Sequence, residues 1–442
     1  MSAPRLQGAA RALALEIAAE ARAEWGYATD VIARAFRAHR ELPSRDRRTI
    51  AETVYGLIRM DRRLDAIVDE LVAASGAAPP APLARDELTL LVYEAREGVP
   101  VEALASEARR LLRVEVDLAA ALGDEAGLGK RAGLDREATR LSYPTWLVET
   151  WADQLGQTEA LRLAEAMNRR APLAVRVNTA RVSREDLVAR LAEEHVVARP
   201  TTLSPVGLVF ETRVNAFGLS AFRDGLFEVM DEGSQLVAEL VAPPPGGRVL
   251  DACAGAGGKT LALGAALGGK GRVLALDTGG KKLEELRRRA RRAGLTNVEA
   301  KTVTDDLASV ARAVKGSFDR VLVDAPCSGL GTLRRNPEAR WRLTRATVDS
   351  FPARQLALLV TYAPLTAVGG RLVYATCTVN RNENERVVER FLAERDDFVP
   401  VPVKEIWGRE RAAPLGDGMT LRLTPQAHDT DGFFAAVLRR VR

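Results

Sequence analysis

The fold of this chain is decided by the stretch Leu250-Asp251-Ala252-Cys253-Ala254-Gly255-Ala256-Gly257-Gly258-Lys259-Thr260. This stretch follows the apolar run Arg248-Val249-Leu250 and leads into a helical pattern, which predicts a strand, a glycine-rich turn and a helix. Further strand and helix patterns run from Arg272 to Ala293 and again from Phe318. Because repeated strand–helix units build parallel sheets, the sequence predicts a Rossmann-like, doubly wound α/β domain.

The glycine-rich turn has the features of a cofactor site. Glycines let the backbone approach a ligand closely at the start of a helix, and Asp277 ends the next predicted strand, where an acid can bind a ribose diol. The dinucleotide fingerprint is not met, since Gly255-Ala256-Gly257 runs into Gly258-Lys259-Thr260, and Cys253 takes the place of the first P-loop glycine. These residues argue against a nicotinamide dinucleotide or ATP, and they leave a flavin, S-adenosylmethionine or a turn without ligand open.

A second acid follows the next predicted strand, which runs from Val298 to Val303. Asp305, or its neighbour Asp306, stands where an acid could hold an adenine amino group. A capping or solvated aspartate is an equally good interpretation of either residue.

Two of the three cysteines follow predicted strands. Cys327 lies in Asp324-Ala325-Pro326-Cys327-Ser328-Gly329, and Cys377 lies in Ala375-Thr376-Cys377-Thr378. Loops after the strands of an open α/β sheet face one crevice, so both thiols are expected beside the cofactor. A thiolate that adds to carbon 6 of cytosine makes carbon 5 nucleophilic, and a second thiol can help to end the reaction. Asp324 could hold the polar edge of the base. Two ordinary buried cysteines are the alternative.

Length, charge and cysteine content restrict the class of protein. A chain of 442 residues predicts two or three domains. The net charge of +5 favours a polyanionic partner. Three cysteines cannot form a disulfide framework and suit a reducing compartment, so a cytoplasmic protein is expected.

Other classes are not expected from this sequence. The three histidines, His39, His195 and His428, are far apart and form no motif with the cysteines, so no metal site is predicted. No apolar stretch reaches the ~20 residues of a membrane-spanning helix, and the N-terminus does not resemble a signal peptide. A monomer is the default expectation.

Several segments of the chain resemble the RNA cytosine-5 methyltransferases of the NOL1/NOP2/Sun family. The resemblance covers about residues 141–442 and departs from the family pattern at two positions: Ala256 replaces a proline of the turn, and Thr378 replaces a serine. The matching segments are Arg176-Val177-Asn178-Thr179, Asp231-Glu232-Gly233-Ser234-Gln235-Leu236, the glycine-rich turn, both cysteine segments, Asn382-Glu383-Asn384-Glu385 and Asp431-Gly432-Phe433-Phe434.

This resemblance implies roles for individual residues. Cys377 would be the nucleophile, and Cys327 would assist release of the product from the covalent adduct. The implied cofactor is S-adenosylmethionine, whose site would be lined by Cys253, Ala254, Gly255, Ala256, Gly257, Gly258, Lys259, Asp277, Asp305 and Asp324.

The N-terminal helices resemble the NusB-type RNA-binding domain. The matching residues are Ala10-Arg11, Leu42-Pro43-Ser44-Arg45-Asp46-Arg47 and Val54-Tyr55-Gly56-Leu57-Ile58-Arg59. A NusB-like domain joined to this catalytic domain implies an RNA substrate, in particular 16S rRNA. The predicted domains are a NusB-like helical domain at 1–140, a small α/β domain at 141–230 and the methyltransferase domain at 231–442.

The basic pair Arg334-Arg335 follows the Cys327 segment and is expected to meet RNA phosphates near an exposed base. Three other functions stay open at this point. The chain could methylate another RNA such as tRNA, or a protein or small molecule, although neither of the latter needs the two cysteines. It could also be an RNA-binding factor whose catalytic domain is silent.

Overall fold

The structure, a computed structural model, describes residues 5–212, 214–304, 314 and 317–442. It divides into two compact units. The helical unit contains Met1–Arg169 and Leu333–Arg345, and the α/β unit contains Arg170–Thr332 and Ala346–Arg442. Asp305 and Asp306 lie outside the described residues.

The helical unit is built on amphipathic helices. In the first helix Leu13, Ile17 and Ala21 recur at helical spacing, and all three are buried against Val54 and Ile58. The predicted N-terminal helical domain is therefore confirmed as a helical structure. Its helices are α1 (Gly8–Glu24), α2 (Ala28–Ala38), α3 (Ser44–Arg59), α4 (Asp61–Ser75), α5 (Pro82–Arg96), α6 (Glu102–Leu112), α7 (Gly133–Leu141), α8 (Thr145–Leu155) and α9 (Gln157–Asn168).

The α/β unit begins with a small antiparallel sheet in the order β2-β3-β1-β4. One face of this sheet is covered by helices whose apolar side chains, such as Leu187 and Leu191, pack on Val175 and Phe227. The elements are β1 (Leu173–Val177), α10 (Arg184–Glu193), β2 (Ala198–Pro200), β3 (Gly207–Phe210), α11 (Ser220–Arg223) and β4 (Phe227–Val229).

Alternating strands and helices make up the rest of the chain. They are α12 (Glu232–Leu240), β5 (Arg248–Asp251), α13 (Gly258–Ala266), β6 (Arg272–Asp277), α14 (Gly280–Ala293), β7 (Val298–Thr302), β8 (Phe318–Asp324), α15 (Ala339–Arg342), α16 (Arg345–Tyr362), β9 (Thr366–Thr376), α17 (Glu385–Glu394), β10 (Phe398–Val401), α18 (Val403–Trp407), α19 (Arg409–Ala412), β11 (Leu421–Leu423), α20 (Pro425–His428) and β12 (Phe433–Arg440).

These strands form one mixed sheet in the order β10-β12-β9-β8-β5-β6-β7, and β11 pairs with β12. Neighbours from β9 to β7 are parallel, whereas β12 is antiparallel to β9 and to β10. The central strands are apolar on both faces: Leu250 packs in one core and Val249 in the other, and both are fully buried. The predicted Rossmann-like, doubly wound domain is confirmed, with an antiparallel edge that the strand–helix pattern did not predict.

The parallel register aligns the carboxyl ends of four strands. β5, β6 and β8 end at Asp251, Asp277 and Asp324, and β9 ends at Thr376 directly before Cys377. Loops at this edge therefore carry the acids and the cysteines singled out in the sequence. In the part of the chain that the structure describes, no helix is long and apolar enough to cross a membrane.

The segment Leu333–Arg345 leaves the α/β unit and packs within the helical unit. Its anchor is Arg340, which is fully buried and stacks at 3.9 Å on the ring of Tyr143. The guanidinium donates hydrogen bonds to the carbonyl of Ser142 at 3.0 Å and to Oδ1 of Asn168 at 2.8 Å. Burial lowers the pKa of Arg340 to about 10. The hydrogen bonds offset part of the cost of desolvating the charge.

Substitution Arg340→Ala is expected to destabilise the helical unit by about 2–4 kcal/mol, because it removes a hydrogen bond to the carbonyl of Ser142 and the packing on Tyr143. Urea unfolding followed by tryptophan fluorescence measures the change, since Trp341 lies in the same segment and donates to the carbonyl of Ile58. Exposed Arg345 supplies the control Arg345→Ala. Equal unfolding midpoints for the two variants would show that Arg340 is no anchor.

Candidate active site

The glycine-rich turn is held in a conformation that other residues rarely adopt. Gly255 and Gly257 have φ values of +54° and +88°, and a Cβ added to Gly257 would lie 2.5 Å from Cγ of Leu286. Asp277 fixes the turn from the neighbouring strand: its Oδ2 accepts the Gly255 N–H at 2.8 Å, and its Oδ1 accepts the Gly279 N–H at 2.7 Å. Each carboxylate oxygen retains acceptor capacity for a further partner.

A cavity of about 270 Å³ opens beside this turn. It has polar groups at the strand ends and an apolar wall on α16, a combination suited to a nucleoside. Two of the predicted cofactor residues, Cys253 and Asp277, line it, whereas Lys259 and Asp324 lie elsewhere at the same edge. The lining residues are Ala252, Cys253, Asp277, Thr278, Val303, Thr304, Pro326, Arg354, Ala357, Leu358, Thr361 and Tyr362.

The two thiols meet at the same edge of the sheet. Sγ of Cys327 lies 3.4 Å from Sγ of Cys377. The strand pairing continues past the end of β8 into the Cys327 loop, because the Ala325 N–H donates to the carbonyl of Ala375 in β9 at 2.8 Å. Pro326 lines the cofactor cavity and directly precedes Cys327, so the thiol pair adjoins the cavity.

Gly331 locks the first cysteine loop onto the second. Its N–H donates to the carbonyl of Cys377 at 3.0 Å, and its carbonyl accepts the Gly432 N–H at 2.8 Å. A Cβ at Gly331 would lie 2.1 Å from the Gly432 oxygen and 2.7 Å from the Cys377 oxygen. The close approach of three chain segments therefore requires glycine at this position.

The electrostatics of the site distinguish Cys327. Its hydrogen bond with Cys377 raises the pKa of the Cys327 thiol well above the ordinary value, and burial and the charge of Glu383 raise it further. Cys327 is therefore held in its protonated form at neutral pH. A protonated thiol next to a second sulfur is suited to proton transfer rather than to nucleophilic attack.

Lys259 brings a positive charge to the same edge. Its Nζ lies 2.6 Å from Oδ2 of Asp324, and both side chains are largely buried. Burial lowers the pKa of Lys259, but the charge of Asp324 and its hydrogen bond outweigh burial and raise it, with a contribution from Cys377. The ammonium group is thus charged, lies near the second thiol and neutralises Asp324.

Glu383 lies in one of the segments that resemble the family, but the sequence alone did not indicate its role. It is fully buried, and its carboxylate accepts hydrogen bonds from both cysteine loops. The donors are the Ser328 N–H at 2.8 Å, Ser328 Oγ at 2.6 Å, Gln355 Nε2 at 3.0 Å, Asn380 Nδ2 at 3.1 Å and Thr378 Oγ1 at 3.3 Å. The available signal was an acid six positions after Cys377, in a polar turn beside an apolar strand.

Asp251 is a second buried acid whose importance the sequence did not indicate. It is buried at the end of β5, where its Oδ2 accepts the hydroxyl of Thr260 at 2.6 Å and its Oδ1 has no hydrogen-bond partner among the residues that the structure describes. Burial raises the pKa of Asp251 to about 7, with a contribution from the charge of Asp324. A protonated Asp251 avoids a further negative charge under the glycine-rich turn.

This raised pKa predicts a pH dependence of stability. Between the ordinary aspartate pKa of 3.8 and the folded value of about 7, the unfolded chain has released a proton that the folded protein keeps. The free energy of unfolding therefore falls as pH rises through this window, by up to about 1.4 kcal/mol per pH unit from this group. We expect Asp251→Asn to make the fall shallower in urea unfolding between pH 5 and 7, whereas Asp349→Asn, an exposed control, keeps it. An unchanged slope in Asp251→Asn would contradict the assignment.

Other predicted features are placed differently or are not tested. Arg334 belongs to the helical unit and is only 4% exposed, so the expectation that it meets RNA phosphates is wrong for this structure. Among the described residues, no group of three or more histidine, cysteine, aspartate or glutamate side chains could hold a metal ion. Asp305 lies outside the described residues, and its role stays a prediction.

A doubly wound sheet with a glycine-rich turn, an acid at the end of the next strand and a cavity suited to a nucleoside is an arrangement that Rossmann-like methyltransferases share with other nucleotide-binding proteins. Comparison with known proteins identifies the class as methyltransferases. Residues 238–439 match the family described as 16S rRNA methyltransferase RsmB/F, and residues 143–216 match the ferredoxin-like domain of RsmF/B-like methyltransferases.

Whole-chain relatives agree with these matches. The probable ribosomal RNA small subunit methyltransferase B of Synechocystis is 34% identical over 98% of this chain and 99% of its own. The ribosomal RNA small subunit methyltransferase B of Thermus thermophilus is 34% identical over 90% of each chain. The crystal structure of PH0851 has a TM-score of 0.78 at 26% identity and covers 99% of this chain and 100% of that chain. The chain belongs to the RsmB/F family of 16S rRNA methyltransferases, which confirms the resemblance to the NOL1/NOP2/Sun enzymes.

Proposed function

We propose that this protein transfers a methyl group from S-adenosylmethionine to carbon 5 of a cytosine in 16S rRNA. The observation that carries the proposal is the pair of thiols, 3.4 Å apart, beside a cavity suited to a nucleoside. Methylation at oxygen or at an exocyclic nitrogen needs no thiol, whereas methylation of carbon 5 needs a nucleophile at carbon 6. The family and its full-length relatives supply the rRNA as substrate class.

The residues at the cavity fit the cofactor. Asp277 retains acceptor capacity for the ribose hydroxyls, the backbone of the glycine-rich turn is open to the ligand, and the wall formed by Leu358 and Tyr362 suits an adenine. Cys253 and the turn residues up to Lys259 complete the predicted site, with Asp305 and Asp324 as further predicted contacts. When bound, S-adenosylmethionine supplies an electrophilic methyl group.

The chain itself supplies the nucleophile. The Cys377 sulfur forms a bond to carbon 6 of the cytosine, and the electron pair of the 5,6 double bond becomes available at carbon 5, which accepts the methyl group. The charged Lys259 interacts electrostatically with Cys377. Asp324, held by Lys259, is available to the polar edge of the base.

The product is released by elimination. The proton on carbon 5 passes to the Cys327 sulfur as Cys327 gives its own proton to the departing Cys377 sulfur. The electron pair of the carbon 5–hydrogen bond re-forms the 5,6 double bond, and the electron pair of the carbon 6–sulfur bond returns to Cys377. Cys327 is placed to assist, because its sulfur adjoins Cys377, and the hydrogen bond with Cys377 together with burial raises the pKa of its thiol and keeps it protonated. The residues around Cys327 therefore favour a role for its thiol in proton transfer during the release step.

The proposal also covers the state of the RNA substrate, the role of the helical unit, and the location and assembly of the protein. The base must leave any stack to reach Cys377, so unpaired or unfolded rRNA is the more accessible substrate. The helical unit is proposed to bind RNA, as its NusB-like segments imply. A cytoplasmic monomer remains the proposal for its location and assembly.

The direct test incubates the protein with tritiated S-adenosylmethionine and 16S rRNA from a strain that lacks the gene. We expect label in 5-methylcytosine after digestion of the RNA to nucleosides. Wild-type 16S rRNA, already modified, is the control and should accept little label. The absence of label in cytosine would contradict the proposal.

The two cysteines are expected to behave differently when each is replaced. Cys377→Ala should abolish turnover, because no bond to carbon 6 can form. Cys327→Ala should form the bond but release it slowly, so a protein–RNA adduct survives on a denaturing gel. Cys253→Ala, at the cavity rather than at the thiol pair, is the matched control and should give no adduct. An adduct with Cys377→Ala in place of Cys327→Ala would reverse the two roles.

A further inference from the structure

Glu383 joins the two cysteine loops through its carboxylate. The loop of Cys327 is held by three contacts: Oε2 accepts the Ser328 N–H, Oε1 accepts the Ser328 hydroxyl, and Gln355, which donates to Oε2, also donates to the carbonyl of Pro326 at 3.1 Å. The loop of Cys377 is held by the Thr378 hydroxyl. The two hydroxyls also contact each other at 2.9 Å.

The backbone of the Glu383 segment strengthens this connection. The Tyr374 hydroxyl donates to the carbonyl of Glu383 at 2.5 Å. Asn384 accepts from the Thr376 hydroxyl at 2.6 Å and donates to the carbonyl of Thr378 at 3.0 Å. Residues on both sides of Cys377 are therefore tied to the segment that presents the Glu383 carboxylate.

We propose that Glu383 is a positioning residue that sets the Cys327 thiol against Cys377 for the release step. The proposal rests on the proposed function and deepens it. Glu383 touches neither thiol directly, so it acts through Ser328 and Pro326, the two neighbours of Cys327 in the chain. Its hold on the Cys327 loop is stronger than its hold on the Cys377 loop, because the shortest of its contacts, at 2.6 and 2.8 Å, are both with Ser328.

Replacement by glutamine tests the charge with little change of shape. All five contacts of the carboxylate come from donors, and each oxygen has at least one donor whose role cannot reverse. Oε2 accepts the Ser328 N–H and the Gln355 amide, and Oε1 accepts the amide of Asn380, whose own Oδ1 already accepts the Asn382 N–H. A glutamine side chain offers one oxygen and one amide nitrogen, so one side must face donors with a donor. The loop of Cys327 is then expected to shift, and a displacement of about 1 Å at a reacting group can cost about 100-fold in rate.

The experiment compares wild-type protein with Glu383→Gln, Ser328→Ala and the control Glu385→Gln, using 16S rRNA from the strain that lacks the gene. Glu385 lies two positions away and pairs with Arg422 instead of a cysteine loop. Three quantities are measured: turnover, affinity for S-adenosylmethionine and the fraction of protein in a denaturant-stable adduct with RNA.

We expect Glu383→Gln to reduce turnover by about 100-fold while the adduct fraction rises and the affinity for S-adenosylmethionine stays within about threefold of wild type. Ser328→Ala, which deletes one hydroxyl, should shift the adduct fraction in the same direction by less. Glu385→Gln should match wild type in all three quantities. A merely structural defect would lower turnover without accumulating adduct, so the adduct fraction separates the two explanations.

Two results would overturn the inference. The first is turnover of Glu383→Gln within about twofold of wild type. The second is a loss of turnover with no rise in adduct. If Glu383→Gln fails to fold, folded Ser328→Ala decides, and a wild-type adduct fraction there rejects the role. Failure of the proposed function looks different, because wild-type protein itself would then leave no 5-methylcytosine.

Discussion

The parallel pairing of β8 with β9 is the constraint on which the site depends. In its register Val323 lies opposite Tyr374 and Asp324 opposite Ala375, and the hydrogen bond from Ala325 to Ala375 extends the pairing by one residue into the Cys327 loop. Cys327 and Cys377 are 50 positions apart in the chain, yet their sulfurs lie 3.4 Å apart because each follows its strand end by a few residues. A one-residue slip in this register would turn the alternating side chains to opposite faces and separate the thiols.

The same edge collects carboxylates, and each is stabilised in a different way. Asp277 is held by two backbone N–H groups, Asp324 by the ammonium of Lys259, and Glu383 by five donors, two of them from Ser328. Asp251, whose Oδ1 has no hydrogen-bond partner within the described part of the chain, has a pKa that burial raises to about 7, so below that pH it keeps its proton. Buried acids are costly unless they are paired, bonded or neutral, and this edge uses all three solutions. In this arrangement the ammonium group of Lys259 forms an ion pair with Asp324 and interacts electrostatically with Cys377.

Much of this site could be predicted from the sequence because its signals are local. The glycine-rich turn lies between a strand and a helix, Asp277 ends the next strand, and each cysteine follows an apolar run, so parallel topology alone places them at one edge. Glu383 and Asp251 are of another kind, because their importance comes from burial and from partners distant in the chain. Gln355, for example, reaches Glu383 from α16, and no spacing rule connects the two positions. The antiparallel direction of β12 was not predicted for a related reason. The residue pattern of a strand indicates the strand but not whether it runs parallel or antiparallel to its neighbour.

The helical unit could not be predicted in full from the sequence, because it is built from two segments that are far apart in the chain. The NusB-like segments all lie before residue 60, and a resemblance of that kind suggests an N-terminal module that is complete in itself. The compact unit in fact also contains Leu333–Arg345, a segment that begins six positions after Cys327. Arg340 and Trp341 from this segment bond to carbonyls of Ser142 and Ile58, and Arg340 is fully buried. A module made without these residues would leave Tyr143 without its cation and those carbonyls without donors. The sequence that follows the Cys327 loop therefore also completes the core of the helical unit, and the two units cannot be separated by a single cut of the chain.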